Sequence, residues 1–303
     1  MKTKGTAGTV IAALFVMLLW GSLFTAVKLG YSAFEINTKF VPDILTFAGM
    51  RFTVCGVLIT AFAVCTKRKM RISAKKELPT VLAVGLFSVI LHYAFTYVGL
   101  ANTDSGKTAL LKQLAVALFI PLSFIFVRTE KFRFVNVISA VLCLTGIAAL
   151  NFGKLGFSFG IPELLILAAS VCTVANNVFA KKASATVDPI VMTGYAQLFG
   201  GAVLLAVGLI CGGGIHAFSW NAALVFGYIC AASTVSYCIW YSIIRNGNLS
   251  MLFVIKFAEP LFSALTGALF LNENPFTWGF LAAFVLIIIA VTVTTVKPKK
   301  KAL

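Results

Sequence analysis

Four charged side chains stand inside apolar runs of this 303-residue chain: Arg51, Lys112, Lys256 and Glu259. On insertion scales a charge at the centre of a membrane helix costs ~2.5–3.5 kcal/mol, so each needs a partner or a task. Lys256 and Glu259 are spaced i, i+3 and can neutralise one another on one helix face. Lys112 has Ala115 and Val116 at the equivalent spacings, so its own helix supplies no counter-charge. Its partner must be Glu259, another polar group, or a bound anion. A structural pairing and a substrate-facing role both remain open for it. Glu259 is the acidic group deep in a span and hence the candidate to carry a coupling proton.

Aromatic and amide side chains surround these charges in the sequence. Tyr93 and Tyr97 share a helix face at i, i+4, and Tyr237 and Tyr241 repeat that face later in the chain. Their hydroxyls can line a cavity or anchor at the lipid interface, and Tyr97 and Tyr241 lie nearer helix ends than Tyr93 and Tyr237. Trp20, Asn176 and Asn177 are further lining candidates, although Asn within a span equally serves as glue between helices. The candidate binding set is therefore Trp20, Tyr93, Lys112, Asn177, Tyr237 and Lys256. Lys28 can snorkel from the end of its run. With His92 and His216 the only histidines, no cluster has metal-ligand spacing. No Ser/His/Asp grouping or paired carboxylates support an enzyme. Gly212-Gly213-Gly214 lacks the Lys-Ser/Thr ending of a phosphate-binding loop. The seven cysteines form no Cys-x-x-Cys pair and read as small packing residues.

The elements that must position these groups are membrane helices. Hydrophobic residues make up 60% and charged residues 11% of the chain, well below the ~25% charged fraction usual for a soluble domain. A bilayer core of ~30 Å needs about 20 apolar residues to cross. The runs and their prolines predict ten spans, near 8–30, 42–65, 78–100, 105–127, 133–151, 161–180, 190–212, 220–243, 249–271 and 276–296. Pro121 and Pro260 fall inside the fourth and ninth spans and should bend them. Basic residues gather at alternate joints, from Lys67 to Lys76, at Arg128, Lys131 and Arg133, at Lys181 and Lys182, at Arg245 and in the tail. This alternation predicts a cytoplasmic location for those joints and both termini, in the cell membrane. The net charge of +16 is accounted for by that face rather than by nucleic-acid binding.

The chain also repeats itself. A shift of 144 residues superposes Tyr93 on Tyr237, Tyr97 on Tyr241, Asn102 on Asn246, Lys112 on Lys256, Phe126 on Phe270 and Phe132 on Phe276. Five helices per copy is an odd number, so the second copy enters the membrane from the opposite side. The expected architecture is all-α: two inverted five-helix repeats, residues 1–152 and 153–303, around a central cavity. Lys112 and Lys256 then stand ~10 Å inside opposite membrane boundaries, by helix rise.

Trp20-Gly21-Ser22 to Lys28-Leu29-Gly30, Arg51-Phe52, Glu259-Pro260 and Phe270-Leu271-Asn272-Glu273 resemble the EamA-like transporters of the drug/metabolite transporter superfamily. The resemblance covers both halves. It implies ten helices around a central cavity and secondary transport of amino acids or other small metabolites, without a cofactor. Lys107 and Lys112 depart from the small or neutral residues of many relatives, which favours an anionic substrate, with a proton or counter-substrate as coupling partner. A cationic drug exporter would want a carboxylate in the first span, and that span has none. A non-transporting receptor or a membrane enzyme is the reading from another class.

Overall fold

The computed structural model describes residues 6–73, 75–100, 105–127, 130–150, 160–271 and 277–295. All its elements are helices: α1 (Thr6–Ala33), α2 (Val41–Cys65), α3 (Leu78–Gly85), a π-turn (Leu86–Ile90), α4 (Leu91–Leu100), α5 (Ser105–Phe126) and α6 (Phe134–Leu150) in the first half. The second half has α7 (Ile161–Ala183), α8 (Pro189–Ile210), α9 (Trp220–Asn246), α10 (Leu249–Lys256), α11 (Glu259–Leu271) and α12 (Trp278–Thr295). Eight segments are long and apolar enough to cross a membrane, and shorter apolar helices at 111–126 and 134–149 bring the spans to ten. Large apolar side chains such as Ile11, Leu118, Val141, Leu164 and Phe284 stand exposed on the outer faces, a surface suited to lipid.

Proline sets several helix starts. Pro42, Pro79, Pro162 and Pro189 lie in first turns, where a missing N–H removes no helical bond. Asp188 caps α8 by accepting from the backbone N–H of Ile190 at 2.9 Å. Three differences from the sequence expectation stand out. The third span is not one regular helix but is interrupted by the π-turn at 86–90. The eighth extends three residues further, to Asn246. The ninth is broken, not merely bent: Pro260 cannot donate to the carbonyl of Lys256, and α10 ends in tighter bonds from Phe257 N to Val254 O and from Ala258 N to Ile255 O. By contrast α5 continues through Pro121 as one helix.

The core centres on α10. From Leu249 to Ile255 every side chain of this short helix is buried, so other parts of the protein surround it on all sides. Elsewhere α2 and α8 pack along their length in strict antiparallel register, 46 with 208, 49 with 205, 53 with 201, 56 with 198 and 60 with 194. A Cβ added to Gly56 would press on the backbone nitrogen of Leu198, and one on Gly201 on that of Thr53, so these glycines set the close approach. A close polar contact stands at each end of this seam, the second an ion pair. His216 Nε2 meets Asp43 Oδ2 at 2.7 Å, and Arg68 meets Asp188 Oδ2 at 2.7 Å.

Candidate functional site

The break in the ninth span brings two charged side chains together in the interior. Lys256 occupies the last turn of α10 and Glu259 the first turn of α11. Each charge therefore lies at the helix end whose dipole favours it. Lys256 Nζ donates to Glu259 Oε2 at 2.7 Å, and the two side chains are 13% and 12% exposed. The same ammonium lies 4.3 Å from the centroid of the Trp20 ring, a cation–π contact. Trp20 reaches it because Gly21 lets α1 approach α11 closely: a Cβ there would sit 2.6 Å from Phe262 Cβ.

An aromatic wall continues from Trp20. Its ring is 5.5 Å from Tyr237 and 5.1 Å from Trp240, and Phe52 lies 4.8 Å from Tyr93. Tyr93 and Tyr237 meet on the Phe52 ring, with centroids 4.8 and 6.3 Å from it. Trp240 and Phe52 are fully buried and back the wall, whereas Trp20, Tyr93 and Tyr237 are half-buried and reach its surface.

Lys112, on α5, joins this group from the other half. It lies within electrostatic range of both Glu259 and Lys256, with Nζ 5.3 Å from the Phe24 ring centroid. Its ammonium makes no hydrogen bond or ion pair among the described residues. The indole Nε1 of Trp20 is likewise a buried donor with no acceptor. His92 approaches from α4, its Nδ1 3.1 Å from the carbonyl of Ala169 and 3.2 Å from Thr173 Oγ1.

The other candidates have identified contacts. Asn177 is buried: its Oδ1 accepts from Trp240 Nε1 at 2.7 Å and its amide donates to Thr173 O at 2.6 Å. Asn176 Oδ1 accepts from the Tyr241 hydroxyl at 3.0 Å. Both asparagines tie α7 to α9, and Asn177 stands behind Trp240 rather than at the surface of the wall. Arg51 donates through Nε to Ser233 Oγ at 3.0 Å and lies over the Phe52 ring at 4.7 Å. Lys28 lies on α1 and is exposed. The side chains of Tyr97 and Lys107, and residues Asn102, Arg128, Lys154, Asn272 and Glu273, fall outside the described set.

One acidic residue was not singled out in the sequence. Glu130, in the joint between α5 and α6, is buried and accepts from the backbone of Leu249 and Ser250 at the start of α10. The available signal was its position as a lone acid in a basic joint, between Arg128 and Lys131.

The sequence model of the EamA-like transporter family matches residues 7–152 and 160–296. An uncharacterized transporter of Archaeoglobus fulgidus is 25% identical over 95% of this chain and 98% of its own length. The uncharacterized inner membrane transporter YedA of Escherichia coli is 24% identical over 93% and 89%, and the uncharacterized transporter YoaV of Bacillus subtilis 23% identical over 86% and 87%. A solved crystal structure superposes with a TM-score of 0.78 at 20% identity, covering 95% of this chain and 96% of the other, a likeness of fold. With both halves matched by one family model and the relatives aligned over nearly their whole length, the chain belongs to the EamA-like transporter family.

Proposed function

We propose that this chain is a secondary transporter of the cell membrane that carries a small organic metabolite with an anionic group, a carboxylate or phosphate, by alternating access. The observation that carries the reading is the pair of donor groups without acceptors: Lys112 Nζ and Trp20 Nε1, both beside Lys256 and Glu259. Neither can accept a hydrogen bond, so a ligand that satisfies them must bring acceptor oxygens. A carboxylate or phosphate does so, and its charge offsets the unpaired ammonium of Lys112.

Two inverted repeats, residues 1–152 and 153–303, supply the means of opening to each side in turn. Residues near a two-fold axis approach their own counterparts, and the 144-residue shift relates Tyr93 to Tyr237 and Lys112 to Lys256. The two tyrosines pack on the same Phe52 ring, and the two lysines lie within electrostatic range of each other. Basic joints put both termini and the Lys181 end of α7 in the cytoplasm, while the inner-membrane name of YedA supports the location. In this reading Glu259 holds Lys256 when ionised and carries the coupling proton when its carboxyl is protonated.

The test is ligand-dependent thermal stabilisation of the purified protein with amino acids, organic acids and sugar phosphates. A ligand at 100 times its Kd stabilises by ~2.7 kcal/mol. An anion should raise the melting temperature and its uncharged amide or alcohol analogue should not. Lys112→Met should abolish the shift and uptake into proteoliposomes while leaving the ligand-free protein as stable as the parent or more so, because an unpaired cation leaves the membrane interior. Equal stabilisation by the neutral analogue, or unimpaired anion uptake by Lys112→Met, refutes the reading.

A further inference from the structure

At the end of α10 opposite Lys256 a second set of contacts crosses between the halves. The carboxylate of Glu130, from the α5–α6 joint, accepts from Leu249 N through Oε1 and, through Oε2, from Ser250 N at 3.3 Å and Ser250 Oγ at 2.6 Å. Its side chain is 2% exposed, and Lys181 Nζ at the end of α7 stands 3.8 Å from Oε1. Lys181 also donates to the carbonyl of Gly247, and Ser123 on α5 shares a hydrogen bond with Ser250. The carboxylate thus sits on the N-terminus of α10, where free N–H groups and the helix dipole both favour an anion. Three chain segments from two halves converge on one group.

α10 makes that group mechanically important. The helix is eight residues long, about 12 Å by helix rise, with Glu130 gripping its first residues and Lys256 at its last. Buried along its length and broken from α11 at Phe257–Ala258, it is a separate short rod that links the two sets of contacts. Beside the grip lies a cleft of about 890 Å³ lined by Lys181, Lys182, Arg245, Asn246 and Asn248. Glu130 itself lines this cleft, and Lys182 and Arg245 have no ion pair among the described residues, so the cleft offers the carboxylate cationic alternatives when it lets go.

We propose that Glu130 is the cytoplasmic latch of transport: its carboxylate holds the start of α10 against the first half, closes the path on that side, and keeps Lys256 in the site. This rests on the alternating-access reading and on the cytoplasmic placement of the α5–α6 joint. Glu130 touches no substrate and acts as a positioning residue, through α10.

The test uses the full chain in vesicles, with its seven native cysteines replaced by alanine and a single reporter introduced by Tyr237→Cys. A membrane-impermeant methanethiosulfonate is applied to each face in turn. Glu130→Ala removes three hydrogen bonds from α10 to a charged group, any one of which is worth about tenfold, so it should raise the labelling rate from the cytoplasmic face at least tenfold and lower it from the opposite face. Glu130→Gln keeps an acceptor for the backbone but loses the charge facing Lys181, and should lie between. In protein retaining Tyr237, a merely structural role lowers the amount of active carrier and hence the maximal rate alone. Loss of a latch instead lowers the apparent KM from the cytoplasmic side, because the inward-open population grows. Unchanged labelling in folded Glu130→Ala overturns the latch. If that variant does not fold, Ser250→Ala must give a smaller rise in the same direction, and no rise overturns the proposal equally. A reporter that reacts from both faces at once in every variant, with Glu130→Ala still opening the cytoplasmic face, overturns alternating access and leaves the latch standing.

Discussion

Removing the charge of Glu259 should destabilise the protein more than removing the charge of Lys256, although the two form one ion pair. At 2.7 Å and an effective dielectric of about 20, their attraction amounts to roughly 6 kcal/mol, an upper bound for the loss. Broken buried pairs cost roughly 3–5 kcal/mol in practice. In Glu259→Gln, Lys256 keeps its contact with Trp20 and its place at the end of α10, which offset part of the cost. But Lys112 then faces Lys256 with no carboxylate between them, so we expect about 3 kcal/mol of destabilisation. In Lys256→Met, Glu259 keeps Lys112 as a nearby cation and its place at the start of α11, and the loss should be about half as large. The double change removes both charges and should fall within about 1 kcal/mol of the parent, a coupling of a few kcal/mol. Equilibrium unfolding in mixed micelles titrated with sodium dodecyl sulfate measures all three variants. The reasoning is refuted if Lys256→Met costs as much as Glu259→Gln, or if the double variant is no more stable than the weaker single one. The same proteins test the coupling role: Glu259→Gln should exchange substrate between equal pools but lose accumulation driven by a pH gradient. Retained accumulation in folded Glu259→Gln would falsify that role.

Gly201→Ala brings a methyl group against the backbone of Thr53 and should cost about 1–3 kcal/mol by the same unfolding assay, whereas Gly227→Ala, which meets nothing within 4 Å, should be near neutral. For topology, single cysteines at Ser73 and Ala217 should react with an impermeant reagent from opposite faces of the membrane, Ser73 from the cytoplasmic one. Equal reaction at both from one face removes the assigned orientation.

The spans were legible because their cause is one-dimensional: a fixed bilayer thickness selects run length, and proline selects starts. Even the break in the ninth span is announced by Pro260, although sequence alone suggested only a bend. The π-turn at 86–90 is not announced, since nothing in Leu86-Phe87-Ser88-Val89-Ile90 departs from an ordinary apolar helix. It lies where the chain meets α8 closely, with Gly200 against Val89 and Gly85 against the Ala196 carbonyl, so its cause lies in packing rather than periodicity. The charged site was partly legible, because a charge in a span stands out whatever surrounds it. Which amide faces a cavity does not. Asn177 could line a site or hold a neighbour, and the structure engages its amide with Trp240 and Thr173. Glu130 escaped notice for the opposite reason: in a polar joint an acid looks solvated, and only the fold reveals that it is buried on a helix end.

The glycine seam between α2 and α8 restricts how the two halves can move. With backbone against backbone at 49 and 205, 53 and 201, and 56 and 198, a slide along the seam would drive side chains into main chain within one residue step. The hydrogen bond of His216 with Asp43 and the ion pair of Arg68 with Asp188 resist drift at both ends. Under the proposed alternating access, the seam would act as a fulcrum about which the surrounding helices tilt at a fixed height. In the same reading, Lys112 on α5 and Lys256 on α10 would then change their separation by angle rather than by depth.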